Sequence, residues 1–231
     1  MKKSIFKHKI GVLILAILFS AAGFYGCNES STNPTQSDNL SFSSSSSTDS
    51  IGDSQNILIL DTVKILIKDI KLNVANNNED SVNFKVGPYV LFLNLTSGVT
   101  TIGSAIIPAG EYQKIKFEIH KLNNNETPPD PEFTEGYSVI VKGWYMGSYF
   151  IYKSTKSAHQ ILNFPTTVPI SLTYASNITL VVRPYIWFIS NGVYLDPRVA
   201  ANSNDIDNNI KNNINNNFKA FRDNDRNGVP D

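Results

Sequence analysis

The residues best placed to do chemistry are the last nine, Asp223-Asn224-Asp225-Arg226-Asn227-Gly228-Val229-Pro230-Asp231. Oxygen-bearing side chains fall at the first, third, fifth and ninth positions, and glycine at the sixth. A hard cation such as Ca2+ takes about 6–8 oxygen ligands, and alternate residues of a tight loop can turn inward together where glycine permits the bend. Asp223, Asp225, Asn227 and Asp231 therefore form a candidate calcium set, with the Val229 carbonyl at the seventh position. Two features work against a tight site. No glutamate follows at the twelfth position, so the terminal carboxylate of Asp231 would have to replace it in part. Arg222 and Arg226 also lower the local negative potential. The competing reading is a hydrogen-bonded polar tail that caps a preceding helix.

A second kind of chemistry lies in the rings. Trp144, Tyr145, Tyr149, Phe150 and Tyr152 cluster in one stretch, and Tyr185, Trp187, Phe188 and Tyr194 in another. An exposed platform would stack on sugar rings, with Trp144, Tyr145, Tyr152 and Trp187 as its candidates. The alternative is that alternate members fill the core. Signs of an enzyme are poor. Outside the first 26 residues only His120 and His159 remain, and there is no Gly-x-Ser-x-Gly, His-Glu-x-x-His or glycine-rich phosphate loop. Glu111, Glu118, Asp130 and Glu132 have no spacing that pairs them. The expectation is a non-catalytic protein, with a hydrolase as a distant alternative.

Strands must position these residues. Aromatic and β-branched residues are plentiful and leucine-rich helical runs are absent, which favours an all-β domain. Val63, Ile65 and Ile67 alternate with Lys64, Leu66 and Lys68, then the apolar phase moves to Ile70, Leu72 and Val74. A one-residue slip reverses every side chain, so a bulge or bend is expected at Lys68-Asp69. Ile115, Phe117 and Ile119 face one way, and Lys114, Lys116, Glu118 and His120 the other. A hairpin is expected around Met146-Gly147-Ser148. About 7–9 short strands over 56–196 predict an antiparallel β-sandwich, with a barrel as runner-up. Ile206, Ile210, Ile214 and Phe218 recur every four residues, predicting an amphipathic helix over about Asp205–Phe221 within a C-terminal region 197–231, started by Ser203 or Asn204. Its asparagines give poor intrinsic propensity, so it should hold only when docked.

The N-terminal quarter reads differently. Lys2, Lys3, Lys7 and Lys9 precede an apolar run from Ile10, and the stretch closes at Gly26-Cys27, the sole cysteine. Its apolar core of roughly 15 residues is shorter than the roughly 20 that span a bilayer, which favours a cleaved leader over 1–26. This stretch resembles a bacterial lipoprotein signal. The resemblance implies lipidation of Cys27, a membrane partner, and residence in the cell envelope; Asn28, rather than aspartate, leans towards the outer membrane. Residues 27–55 are rich in serine and asparagine, with Ser43–Ser47 unbroken and Phe42 alone, and predict a disordered tether. Asp49-Ser50-Ile51 resembles an O-glycosylation triplet. Removing the leader takes away four lysines and no acid, leaving 16 basic against 20 acidic side chains. That excess of acid argues against nucleic acid, where a basic footprint is expected.

Two further resemblances follow from these residues. Ile106-Ile107-Pro108-Ala109-Gly110-Glu111-Tyr112 is similar to a turn in Gram-negative lipoproteins that carry a β-sandwich domain of unknown function, with Ile107 in place of a small residue. The C-terminal spacing resembles the calcium loops of EF-hand, dockerin and thrombospondin type 3 repeats. The lipoprotein family offers no established activity to carry over. The expectation from the whole sequence is an envelope-anchored structural or binding module steadied by calcium, with a glycan or an envelope protein as partner. A carbohydrate-binding module is the alternative.

Overall fold

Period-2 alternation becomes strand wherever one face of the chain can be buried. The computed structural model describes residues 38–46, 57–75, 84–93, 95, 98–123, 125–134 and 136–231. The leader, Cys27 and the Asp49-Ser50-Ile51 triplet lie outside them. The strands are β1 (Leu40–Ser46), β2 (Leu58–Val74), β3 (Phe84–Val86), β4 (Tyr89–Phe92), β5 (Thr100–Ala105), β6 (Gly110–Ile119) and β7 (Val139–Tyr145). They continue with β8 (Ser148–Ser154), β9 (Ala158–Ile170), β10 (Ser176–Val182), β11 (Ile189–Ser190) and β12 (Val193–Tyr194). The helix α1 (Ser203–Asn217) and β13 (Lys219–Arg222) complete the order.

The protein is an all-β sandwich with one C-terminal helix. One sheet has four strands in the order β13-β10-β1-β5. The other runs β8-β7-β2-β6-β9, with β3 and β4 also paired to β2, and β11-β12 is a small separate hairpin. Leu40, Phe42, Ile178, Leu180 and Val182 from the first sheet share one core with Ile65, Ile67, Ile70, Tyr112, Ile115 and Val141 from the second. The expected phase change in β2 is a bulge: its register with β6 shifts between Ile67 and Asp69. The expected hairpin also forms, with Met146 and Gly147 at positive φ in the turn. In the Pro108-Ala109-Gly110 turn, fully buried Tyr112 donates its hydroxyl to the Pro108 carbonyl at 2.9 Å. Asn39 binds both the amide and the carbonyl of Ile107.

Several expectations need correction. The first is the tether. Leu40–Ser46, placed inside the disordered stretch 27–55, is an interior strand flanked by β10 and β5. Leu40 and Phe42 are fully buried, and burying a phenylalanine contributes about 2–3 kcal/mol. A serine run can be buried when its hydroxyls find partners, and here they do. Second, β1 runs parallel to β10, so the sandwich is not wholly antiparallel. Third, the helix stops at Asn217. Phe218 is extended at φ −67 and ψ 141, and β13 pairs with β10. Ile206, Ile210 and Ile214 are buried as their spacing predicts. Ala220 and Phe221 bury instead through a strand that closes the edge of the first sheet. Residues 219–222 thus belong to the sandwich, and β1 and β13 join the nine strands of the two large sheets, β2–β10, that fall within 56–196. Asn202, not Ser203 or Asn204, is the N-cap, and its side chain makes no capping bond.

Candidate functional site

The C-terminal loop is positioned by β13. Pairing of Ile178 with Arg222 and Thr179 with Phe221 delivers Asp223 to the end of β10. There its amide donates to the Asn177 carbonyl (3.0 Å) and its carbonyl accepts from Asn177 Nδ2 (2.9 Å). Asp223 is fully buried. Its Oδ2 accepts from Thr179 Oγ1 at 2.7 Å and from the Gly228 amide at 3.1 Å, while Oδ1 accepts from the Asn227 amide at 2.9 Å. Gly228 sits at φ +84, where residues with a Cβ are strained, so the glycine at the sixth position does permit the bend. Asp225 accepts from the Asn227 amide and side chain (3.2 and 2.8 Å). The loop closes where the Asp231 amide donates to the Arg222 carbonyl. Asp231 Oδ2 accepts from Arg222 Nε and the Asn224 amide, both at 3.1 Å.

This closure draws the carboxylate oxygens of Asp223, Asp225 and Asp231 to within 4.8 Å of one another. Three of the five residues expected to hold calcium therefore converge. Asn227 turns its side-chain oxygen to the Val229 amide at 2.8 Å instead, and Val229 is exposed. The donor set is chemically suited to a hard cation. A carboxylate oxygen has two lone pairs, and Asp223 Oδ1 uses one for Asn227. Three carboxylates fall short of a full calcium shell, so water would supply the remainder and affinity would lie in the weak range of extracellular modules.

The floor of the loop is the serine strand. Ser41 and Ser43 each donate to Asn177 Oδ1 at 2.8 Å, and Asn177 Nδ2 donates to Thr179 Oγ1 at 3.1 Å. Arg226, at φ 56, reaches Ser41 Oγ at 3.2 Å. Ser43, Asn177, Thr179 and Asp223 are all nearly or completely buried. Five polar side chains from β1, β10 and the post-β13 loop thus satisfy one another inside the sheet. The sequence reading missed Ser41, Ser43, Asn177 and Thr179. The one signal for them was the Leu40/Phe42 alternation with Ser41/Ser43, too short to stand out.

A second polar cluster pins residues 130–133 to the outside of the large sheet. Lys64 Nζ donates to Asp130 (2.5 Å) and Glu132 (2.7 Å), and Lys142 pairs with the other Glu132 oxygen. Burial works against the Lys64 ammonium, but the bonds and charges of the two acids outweigh it and hold its pKa above the lysine value. Burial likewise opposes the Asp130 carboxylate, and Lys64 with the Glu132 amide outweighs it, lowering the pKa. Hydrogen bonds from Lys142, then Lys64, bring Glu132 down to about 2. Beneath the loop, Phe133 packs with Leu66 and Ile140 in a satellite core. Asp130 and Glu132, which no spacing pairs, are thus joined through lysine. Glu118 stands opposite Asp69 and His159, and His159 is exposed.

The aromatic candidates separate. Trp187 is fully buried and donates Nε1 to Asn213 Oδ1 at 2.8 Å. Tyr152 is buried against Phe188 and donates to Asp207 at 2.9 Å. Burial first, then Asp207, raises the Tyr152 pKa well above the tyrosine value. Neither can present a ring face to a sugar. Tyr145 is half-buried under the Arg198 guanidinium. Trp144 alone of the four is exposed, beside Tyr149 with ring centroids 5.3 Å apart and planes at 66°. The four do not form one platform.

No protein-family model, curated protein sequence or solved structure matches this chain.

Proposed function

We propose that this chain is a non-catalytic lipoprotein of the cell envelope, held in the outer membrane through lipidated Cys27, and that its sandwich is a structural or binding module braced by calcium. The observation that carries the calcium reading is the convergence of Asp223, Asp225 and Asp231 on a loop whose base is fully buried. A cation there would tie exposed Asp225 and Asp231 to the base of β13, and so hold the closing strand of the small sheet. The residues grouped by charge elsewhere support a scaffold rather than a reaction, since Asp130 and Glu132 are each engaged with lysine. The lipid anchor rests on the sequence pattern that ends in Cys27.

Melting of the full chain in millimolar Ca2+ and in chelator tests the first part. The expected result is a melting temperature higher by a few degrees with Ca2+, since a ligand of the folded state stabilises in proportion to RT ln(1 + [L]/Kd). Asp225→Asn, at an exposed position, should fold normally and lose the response. A melting curve and titration heat indifferent to Ca2+ would overturn the proposal. The anchor has its own test: Cys27→Ser should leave the membrane fraction and no longer incorporate labelled fatty acid. A variant that stays membrane-bound refutes lipidation as the anchor.

A further inference from the structure

The two end strands of the large sheet are built differently. β9 carries Pro165 and Pro169, and its register with β6 shifts between Tyr112 and Lys114. Prolines and bulges are the usual means by which an edge is kept from pairing with another chain. β8 has neither. Its seven residues, Ser148–Ser154, pair with β7 without a register shift and contain one charge, Lys153. Among the described residues no strand pairs with its outer edge. The solvent face beside that edge is apolar. Cross-strand pairing sets Ile59, Trp144 and Tyr149 in one row. Ile151 and Met146 extend the patch, and all five side chains are exposed.

We propose that β8 pairs with β8 of a second copy of this chain, antiparallel about a two-fold axis at Ile151. A straight, unprotected edge is a template for strand addition, and a two-fold contact must be complementary to itself. The sequence of β8 meets that demand. With Ile151 opposite its counterpart, each Tyr149 faces the Lys153 of the other copy, and Ser148 faces Ser154. The single charge on the strand meets a ring, and like charges stay at opposite ends. Lys153 already lies 4.7 Å from the Tyr137 ring centroid, so its ammonium would rest between two tyrosines, an arrangement favourable to a cation. Moving the pairing by two residues one way sets Lys153 against Ile151, and the other way sets it against the Gly147 turn. Both lose the match. The apolar rows of the two copies would then run on across the junction as one face. This inference depends on neither calcium nor the lipid anchor.

Sedimentation of the full chain in non-ionic detergent, over a range of concentrations, tests it. The expected result is a monomer–dimer equilibrium. Ile151→Lys places like charges opposite each other, which destabilises a strand pair, and should weaken dimerisation by about tenfold or more. Because Ile151 is 52% exposed, the melting curve of that variant should match the parent at dilutions where the parent is monomeric, and fall below it where the parent is a dimer. In a Cys27→Ser background, Ile151→Cys should cross-link to a covalent dimer on mild oxidation. Facing Cα atoms in such a pair lie about 5.5 Å apart, within the range of about 4.4–6.8 Å that a disulfide spans. Thr166→Cys on β9 should not cross-link. A monomer at every concentration, or a dimer unmoved by Ile151→Lys, overturns the proposal. So does a monomer whose Trp144 fluorescence responds to a neutral oligosaccharide, which would assign the face to a glycan.

Discussion

Two polar clusters hold peripheral segments onto this sandwich, and they do it by opposite means. Under the C-terminal loop, Ser41, Ser43, Asn177, Thr179 and Asp223 are buried and bonded chiefly to one another and to backbone amides. Over the large sheet, Lys64, Lys142, Asp130 and Glu132 attract by charge while keeping part of each side chain in water. A buried polar group stripped of its partner bears the full cost of desolvation. A charged group at the surface falls back on solvent, so its pairing contributes less. The first cluster should therefore govern whether the fold survives, and the second how one loop is held.

The comparison is broken or sharpened by substitution. The largest effect is expected from Asp223→Ala, which leaves the Thr179 hydroxyl and the Asn227 and Gly228 amides without their acceptor. A loss of about 3 kcal/mol follows, read as a fall of roughly 10 °C in melting temperature for a domain of this size. If Glu132→Ala costs as much, the contrast between the clusters collapses. Ser43→Ala should come next at about 1 kcal/mol, the net worth of one internal hydrogen bond. Its effect should shrink in an Asn177→Ala background, because residues of one network do not add. Denaturant titration of the two single variants and the double variant measures this.

Glu132→Gln should cost under about 1 kcal/mol, and the difference from the parent should narrow in 1 M salt, where exposed pairs are screened. Ser43→Ala should be indifferent to salt. The same residue sets the smallest effect, an acid response. The folded pKa of Glu132 is depressed from 4.5 to about 2. Its contribution is therefore complete above about pH 4.5 and is lost as the pH falls through about 2. Stability of the parent minus that of Glu132→Gln, followed from pH 6 to pH 2, should decline towards zero. A difference that grows on acidification contradicts the assigned ion pairs.

Alternation made most of the large sheet legible. β6 reads directly from Ile115, Phe117 and Ile119, and the Lys68-Asp69 bulge from the change of phase in β2. What stayed hidden depended on partners distant in sequence. β1 has only Leu40 and Phe42 to mark it, and its serines are buried on the opposite face through Asn177, more than 130 positions away. β13 continued the spacing of the helix through Phe218 and Phe221, and only the free edge of β10 makes it a strand. In the candidate site, the acidic spacing was readable and the convergence of Asp223, Asp225 and Asp231 agrees with it. The buried floor was not readable, since nothing local separates a serine that faces Asn177 from one in a linker. The rings show the same limit: composition groups Trp144 with Trp187, and register sends one to solvent and the other to the core.

The interior position of β1 also has a kinetic consequence. A chain made N-terminus first has residues 40–46 in hand before any of their partners. β5 arrives about sixty residues later, the parallel neighbour β10 only at Ser176–Val182, and the closing strand β13 at Lys219–Arg222. Contacts of such long sequence separation are slow to form, because the loop between the partners must close before the pairing rewards it. The small sheet therefore cannot be completed until Lys219–Arg222 has followed Leu40–Ser46 by the whole span of strands between them. Until then the outer edge of β10 lies open, and the serine face of β1 lacks the loop that covers it.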